Sequence, residues 1–283
     1  KSPAKNAMDS YVEIYKRFVD QIVDAGWSPV WYIWGGEPML YPGILDIMHY
    51  IKERGMPISL VSNATNVARR ADDIIDTCKI LYLSVDGPNA EIHNNQRPGV
   101  TANYDNFKDV KAALETVNEE KKRRNLAFPY IVPLSCITRY NIDYIVDLYK
   151  FTSQYADTHI LYLTWWIDSH SAQRHTEDFE RRFGFKPQTH YGWIGTWKDF
   201  DHGIIFDKFE EMEMLSKVQR RCPPMMMPRI NTREEIQQYY TDHHNVFGYN
   251  QCVSVYMTME IDSNGDVSLC RDYHDYIIGN IKT

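Results

Sequence analysis

The chain has 283 residues, of which 43% are hydrophobic and 24% charged, and its formal net charge is −7. This composition is typical of a soluble globular protein with room for one large α/β domain and a smaller appendage. The negative charge argues against a nucleic-acid partner, and no stretch of about 18 apolar residues predicts a membrane span. Five cysteines, an odd number, do not indicate a disulfide framework and favour a reducing, cytoplasmic compartment.

Helical and strand patterns alternate over the first 165 residues. Apolar residues recur at helical spacing, and Gly or Asn mark several helix ends, which predicts helices at 8–25, 42–54, 68–77, 104–124 and 142–155. Apolar runs between them predict strands at 30–34, 58–61, 80–85, 130–137 and 159–164. This alternation predicts βαβ units and a parallel sheet. Because a (β/α) barrel begins with a strand, we expect a first strand and its loop upstream of Lys1.

The pattern is looser beyond residue 165. Helices are predicted at 206–219 and from Thr232, whose Thr-Arg-Glu-Glu run resembles a capping box. Segments 253–261 and 267–270 read as two strands, since the Asn-Gly pair between them is typical of a hairpin. We therefore divide the chain into a barrel domain, a connecting region and a terminal hairpin region, at 1–165, 166–250 and 251–283. The connecting region is rich in Trp, Tyr and His, and either shapes a substrate pocket or packs between domains.

The first predicted strand ends in Trp34-Gly35-Gly36-Glu37-Pro38. Ligands of α/β barrels bind at strand carboxyl ends, and two glycines let a ligand approach the backbone closely. A glutamate at this place can accept hydrogen bonds from an ammonium group. The alternative interpretation is a Gly-Gly turn followed by a surface glutamate.

Polar residues also follow the next two strands. The runs are Ser62-Asn63-Ala64-Thr65 and Ser84-Val85-Asp86-Gly87-Pro88, with Glu91, His93 and Arg97 shortly after the second. Each run alone is compatible with helix capping or turn chemistry. Three such runs at successive strand ends lie on one rim of a parallel sheet and together predict a binding site.

In this order, the GGEP, SNAT and SVDGP runs with His93 and Arg97 resemble radical S-adenosylmethionine (SAM) enzymes of the SPASM/twitch subgroup, over roughly residues 8–165 and 252–280. The resemblance implies an α/β fold, a partial (β/α)6 TIM-type barrel with a C-terminal SPASM/twitch-like β-hairpin extension, that binds SAM across the strand ends. By this resemblance the methionyl amine would be held by the motif Gly35, Gly36, Glu37 and Pro38, the methionyl carboxylate by Ser84 and Arg97, and the ribose or methionyl group by Ser62 and Asn63. Asp86 either touches the ligand or shapes the turn.

The cysteines give a second resemblance. Twelve residues separate Cys252 from Gly265, and four more precede Cys270, which resembles the first part of the motif that binds an auxiliary iron–sulfur cluster. The alternative is two free thiols in a hairpin. The sequence leaves open whether this region is a SPASM or a twitch domain, and whether it holds one auxiliary cluster or more. None of the five cysteines can form the family's CxxxCxxC loop, so we expect the ligands of the [4Fe–4S] cluster upstream of Lys1. Cys78 and Cys136 are predicted to be inert core thiols, and Cys222 is given a structural role.

The resemblance implies an oxidoreductase- or transferase-type enzyme that reductively cleaves SAM to a 5′-deoxyadenosyl radical, which abstracts hydrogen from a peptide or small-molecule substrate. The expected partners are that substrate and an electron donor such as flavodoxin or ferredoxin, with neither nucleic acid nor membrane. One alternative is a non-catalytic barrel that binds SAM or a nucleotide. Another is an unrelated hydrolase with Glu37 and Asp86 as paired carboxylates.

Overall fold

The fold is taken from a computed structural model that describes residues 3–99, 101, 104–195, 199–242, 244–270 and 272–283, with side chains from residue 11 onward. The chain forms two compact units, Lys1–Leu163 with Asp207–Arg229, and Thr164–Phe206 with Ile230–Thr283. No described helix is both long and apolar enough to cross a bilayer. The division into three regions made above remains a prediction.

The first unit is built on a six-stranded sheet whose strands follow one another in chain order. They are β1 (Trp31–Ile33), β2 (Ile58–Ser62), β3 (Cys78–Ser84), β4 (Tyr130–Ile137), β5 (His159–Leu163) and β6 (Pro224–Met227). All neighbouring strands are parallel. Among the described residues β1 and β6 pair on one side only, so the sheet is open rather than a closed barrel. The predicted α/β fold with a parallel sheet is confirmed.

Helices alternate with the strands along the chain. The helices that the structure describes are α1 (Pro3–Asp24), α2 (Ile44–Glu53), α3 (Ala71–Thr77), α4 (Ala90–Gln96), α5 (Asn106–Arg123), α6 (Ile145–Thr152), α7 (Ser169–Phe183), α8 (Gly203–Gln219), α9 (Arg233–Thr241) and α10 (Ser254–Met257). Short 3₁₀ turns precede several of them, including Pro38–Leu40 before α2. Of these helices, α2 to α8 lie in sequence between successive strands of this sheet. Within the first unit, helices pack against the sheet, as a parallel sheet requires.

The main hydrophobic core lies between the sheet and the helices α1, α2, α3, α5 and α6. Its fully buried members include Leu60, Leu81 and Leu83 of β2 and β3, with Ile51 of α2, Ile74 of α3 and Leu114 of α5. Alternate residues of β3 are buried while Ile80, Tyr82 and Ser84 are partly exposed on the other face. Side chains alternate across a strand, so one face of the sheet packs on the helices and the other remains accessible.

The register of the sheet places the polar motifs side by side. Ile33 of β1 pairs with Leu60, Ser62 of β2 pairs with Leu83, and Ser84 of β3 pairs with Leu134 of β4. The carboxyl ends of the first three strands therefore lie at one edge of the sheet, which we call the rim.

The second unit contains a three-stranded antiparallel sheet, β7 (Glu260–Ile261), β8 (Asp266–Ser268) and β9 (Gly279–Asn280). The predicted hairpin turn is confirmed between β7 and β8, where Gly265 adopts φ 84° and donates its N–H to the Asp262 carbonyl at 3.0 Å. The predicted cap is also present, because the Glu235 N–H donates to the Thr232 hydroxyl at 3.1 Å.

Several elements differ from the sequence predictions. The strand predicted at 253–261 is wrong over most of its length, because Ser254–Met257 form a helical turn, closed by the Thr258 N–H donating to the Ser254 carbonyl at 2.8 Å. The helix predicted at 142–155 begins as a 3₁₀ turn at Ile142–Tyr144 and ends at Thr152. The helices α4 and α7 and the strand β6 were not predicted. The elements α4 and β6 are short, with seven and four residues, and α7 has a mostly polar sequence whose buried residues are Ala172 and Phe179.

Candidate functional site

The turn after β1 leaves its backbone accessible. Gly35 has φ 107°, a conformation that favours glycine, and a Cβ added at Gly35 or at Gly36 would meet no atom within 4 Å. Pro38 begins the 3₁₀ turn that follows, where its fixed φ and missing N–H are tolerated. The Glu37 carboxylate caps that turn, accepting the Met39 N–H on Oε1 at 3.0 Å. The two glycines therefore present open backbone at the rim.

The same Glu37 carboxylate fastens the end of β1 to the end of β2. The Ser62 hydroxyl donates to Glu37 Oε1 at 2.8 Å, and the Asn63 N–H donates to Oε2 at 2.7 Å. Ser62 is 2% exposed, and its oxygen also accepts the Ala64 N–H at 3.0 Å. Hydrogen bonds to an ionised acceptor are stronger than neutral ones, so this cluster holds two strand ends in register.

The turn after β2 is shaped by the Asn63 side chain. Its Oδ1 accepts the Thr65 N–H at 2.9 Å, while Ala64 and Asn66 have positive φ of 78° and 63°. Side-chain amides commonly fix such turns by bonding to the backbone two residues on. The Asn63 carbonyl points to α5, where it accepts the Asn106 side-chain N–H at 2.9 Å.

The backbone of Asp86 is bonded at both polar groups. Its N–H donates to His93 Nδ1 at 3.2 Å, and its carbonyl accepts the side-chain N–H groups of Gln96 at 2.8 Å and Asn141 at 3.1 Å. His93 and Gln96 lie on α4, and Asn141 follows β4. The turn after β3 is thereby connected to two other segments of the first unit.

The Asp86 carboxylate is 4% exposed at the residue level and is bonded on both oxygens. Oδ1 accepts the Cys136 N–H of β4 at 2.8 Å, and Oδ2 accepts Arg97 Nε at 2.5 Å. The Arg97 side chain remains 36% exposed. A buried carboxylate needs such partners, and here they orient the guanidinium at the rim.

Gly87 allows the close approach of α4 that this arrangement needs. A Cβ at this position would lie 2.4 Å from the His93 backbone nitrogen and 2.8 Å from the carbonyl carbon of Ile92. Both neighbours are backbone atoms that cannot rotate away. The α4 helix begins at this place because the Asn89 side chain accepts the Ile92 N–H at 3.0 Å.

The predicted site residues fall into two groups that the structure brings together by direct hydrogen bonds. The first is Glu37, Ser62 and Asn63, and the second is Asp86 and Arg97. Ser84 is half-buried at the end of β3, two residues before Asp86. Their assignment to SAM stays a prediction.

Sequence reasoning missed Asn106, which connects the two groups through His93: His93 Nε2 lies 3.0 Å from Asn106 Oδ1. No pattern marked it, because it looks like an ordinary polar residue at a helix start.

The two predicted cluster ligands lie in the second unit. Cys252 is exposed, and its thiol pKa is lowered by hydrogen bonds from the Ser254 hydroxyl and backbone, which favour the thiolate. Cys270 is half-buried just after β8. The charge of Asp272 acts on the Cys252 thiol in the opposite direction and raises its pKa.

The remaining cysteines lie in the first unit. Burial raises the pKa of the Cys78 and Cys222 thiols to about 12, which agrees with inert and structural roles. Cys136 is half-buried on β4, so it is less enclosed than the predicted core thiol.

An open six-stranded parallel sheet with helices between its strands and a polar rim at the strand ends defines an α/β protein of the partial-barrel type. The sequence profile of the Radical SAM superfamily matches residues 6–151. The chain therefore belongs to the radical SAM superfamily, as the sequence motifs predicted, while membership of the SPASM/twitch subgroup stays a prediction.

Individual relatives agree with this assignment. The chain is 25% identical over 143 residues to the AdoMet-dependent heme synthase of Methanosarcina barkeri (strain Fusaro / DSM 804), covering 49% of this chain and 37% of that protein. SuiB of Streptococcus suis matches 92% of this chain and 54% of SuiB, with TM-score 0.59 and 16% identity. SuiB bound to SAM gives TM-score 0.58 at 17% identity over 92% and 53% of the two chains. The chain thus spans about half or less of the length of these relatives.

Membership of the family implies SAM and a [4Fe–4S] cluster. The rim fits the amino-acid end of SAM, because open backbone at Gly35 and Gly36 lies at the same edge of the sheet as the partly exposed Arg97. The cysteines of this sequence do not fit the family's cluster loop, since none stands within three or four residues of another. No residue of the described chain is therefore assigned to that cluster.

Proposed function

We propose that the rim of the first unit binds SAM, and that the protein is a radical SAM enzyme that abstracts hydrogen from its substrate. The observation that supports this most is the pairing of open glycine backbone at the end of β1 with an oriented guanidinium near the end of β3. When bound, the reduced cluster and SAM supply a 5′-deoxyadenosyl radical. The chain's own residues bind and orient SAM.

In this proposal the residues at the rim have distinct tasks. The backbone of Gly35 and Gly36 binds the methionyl ammonium, and Arg97 with Ser84 binds the methionyl carboxylate, for which a guanidinium is well suited. Glu37 and Asp86 act chiefly by holding these groups in place, since both carboxylates are bonded within the chain.

Ser62 is enclosed and bonded to Glu37, so its contribution to SAM is through the turn it supports. Asn63 lies nearer the ribose or the methionyl group in the same scheme. Both assignments rest on the family pattern together with the position of the two residues at the end of β2.

We further propose that Cys252 and Cys270 are ligands of an auxiliary iron–sulfur cluster in the second unit. The support is the lowered thiol pKa of Cys252 and the confirmed hairpin between the two cysteines. A thiolate is the form that binds iron. Such a cluster accepts an electron from the substrate radical or binds the substrate.

For the substrate we favour a peptide, with a small molecule as the second choice. SuiB, which shares the fold, has been solved bound to the precursor peptide SuiA, with TM-score 0.57 and 15% identity. The heme synthase relative favours the second choice. An electron donor of the flavodoxin or ferredoxin type and a reducing, cytoplasmic location complete the proposal, in keeping with the odd number of five cysteines.

The test uses the full-length protein, purified anaerobically and reconstituted with iron and sulfide. SAM affinity is measured by calorimetry for the wild type, for Gly36→Leu and for the control Gly192→Leu. Both positions have open space around an added Cβ and no positive φ, so both variants should fold. We expect Gly36→Leu to raise the Kd for SAM by about 10-fold or more, roughly the loss of one or two hydrogen bonds, and Gly192→Leu to leave it unchanged.

Equal SAM affinity in all three proteins would contradict the proposed binding site. Adding dithionite to the wild type should then release 5′-deoxyadenosine. SAM binding without its cleavage by a cluster-loaded protein would favour the non-catalytic SAM-binding barrel instead.

A further inference from the structure

The rim consists of two halves, each held together by hydrogen bonds to a carboxylate. One half surrounds Glu37 at the ends of β1 and β2, and the other surrounds Asp86 at the end of β3. Two buried side chains connect the halves, His93 from α4 and Asn106 from α5. We propose that the His93–Asn106 pair is a positioning element that sets the distance between the two halves. This inference rests on the proposed function, in which SAM spans both halves.

The direction of every bond in this connection is determined by the donors and acceptors at its two ends. The Asp86 N–H donates to His93 Nδ1, so Nδ1 is unprotonated and the neutral ring has its proton on Nε2. That proton is donated to Asn106 Oδ1 at 3.0 Å. The Asn106 amide group then donates to the Asn63 carbonyl at 2.9 Å. A single tautomer and a single amide orientation therefore satisfy the whole path.

The surroundings keep the pair in this one arrangement. His93 is 0% exposed and Asn106 is 4% exposed, and the Phe107 ring packs 5.9 Å from the imidazole. Burial lowers the pKa of His93, which keeps the ring neutral, as the bond from the Asp86 N–H requires. Because both side chains are buried away from water, breaking one of these bonds leaves a buried polar atom unsatisfied.

The two halves would contact different parts of SAM. In the proposed function the Asp86 half presents Arg97 to the methionyl carboxylate, while Asn63 lies nearer the ribose or methionyl group. A wrong distance between the halves should weaken a ligand that bridges them more than a ligand that lacks the amino-acid end. The probe pair is therefore SAM and 5′-methylthioadenosine, which has the adenosine and the sulfur without the methionyl carboxylate and amine.

Three variants separate positioning from folding. His93→Gln places an amide N–H near the Nε2 position and retains a donor for Asn106, but loses the acceptor for the Asp86 N–H. Asn106→Leu removes both of its bonds and keeps the branched shape of the side chain, with methyl groups in place of the amide oxygen and nitrogen. The control is Asn94→Ala, because Asn94 also joins α4 to α5, accepting the Phe107 N–H at 3.0 Å, and touches neither strand end.

Kd values for both ligands are measured on the anaerobic full-length protein. We expect His93→Gln and Asn106→Leu to raise the Kd for SAM about fivefold to tenfold, the usual effect of one hydrogen bond, and to change the Kd for 5′-methylthioadenosine less than twofold. The double variant should be no weaker than Asn106→Leu alone, because the two residues act as one unit. Asn94→Ala should change neither Kd.

A purely structural role would weaken both ligands by the same factor, and additive effects in the double variant would likewise overturn the proposal. If His93→Gln fails to fold, the ratio of the two Kd values in Asn106→Leu alone distinguishes a positioning role from a purely structural one. Absence of SAM binding by the wild type would instead refute the proposed function, so the two failures are distinguishable.

Discussion

Replacing Asp86 by asparagine tests the most highly bonded residue of the rim. An asparagine oxygen can still accept the Cys136 N–H, but its NH2 group then faces Arg97 Nε, so a donor opposes a donor and a cation loses its anion. A hydrogen bond to a charged group contributes about 1.5–3 kcal/mol. Because 36% of the Arg97 side chain is exposed, water compensates part of this loss, and we expect a cost of about 2 kcal/mol.

Hydrogen exchange followed by mass spectrometry measures this cost where it arises. Peptides from β4 should exchange about 30-fold faster in Asp86→Asn than in the wild type, the factor that corresponds to about 2 kcal/mol. The control is Asp76→Asn, which breaks an exposed pair with Arg124 at 3.2 Å and should change exchange less than about fivefold. Equal exchange in the two variants would refute the view that Asp86 is held by its buried bonds.

Three further predictions concern the free energy of unfolding, measured with urea. Glu37→Gln should lower this free energy by about 2 kcal/mol, because one group that now donates to the carboxylate would face an amide NH2. An unchanged unfolding midpoint would contradict this prediction. Gly87→Ala should lower the free energy of unfolding by about 1–3 kcal/mol, since the new Cβ would meet the His93 backbone. A change of less than about 0.5 kcal/mol, as at an exposed position, would argue against that packing. Burial lowers the pKa of His159 to about 3 from 6.5. As the pH falls, this histidine is therefore protonated in the unfolded chain before it is protonated in the folded protein. The free energy of unfolding should drop by about 2 kcal/mol from pH 7 to pH 5 because of this residue. His159→Gln should abolish this decrease in stability between pH 7 and pH 5, whereas the exposed control His170→Gln should retain it.

Much of the fold followed from local sequence pattern. The strand at 130–137 was predicted with its observed bounds, and the strands at 58–61 and 159–164 differ from the observed ones by one residue at one end. Buried strands of a parallel sheet are short apolar runs between turn residues, which makes them easy to recognise. The helix α4 was missed because its polar sequence has no apolar face, and it is held by the Asn89 cap and by bonds to the turn after β3.

The candidate site was predictable in its parts and not in its connections. Glycines and polar residues at strand ends can be read from the sequence, so the two groups of rim residues could be named. Their pairing could not, since the Glu37–Asn63 bond joins residues 26 positions apart, and the Asn106–Asn63 bond joins residues 43 apart. Such bonds depend on the register of the sheet and on how closely α4 and α5 approach it.

The bonding of Glu37 also limits how an ammonium group can be recognised at the rim. A carboxylate has about four lone-pair positions, and the described residues fill three of them, two on Oε1 from Met39 and Ser62 and one on Oε2 from Asn63. Within the described part of the chain one acceptor position therefore remains, on the oxygen that faces the turn after β2. A primary amine could use it for a single hydrogen bond and would have to direct its other two protons to backbone carbonyls, whereas a trimethylated amine would have no proton to offer there.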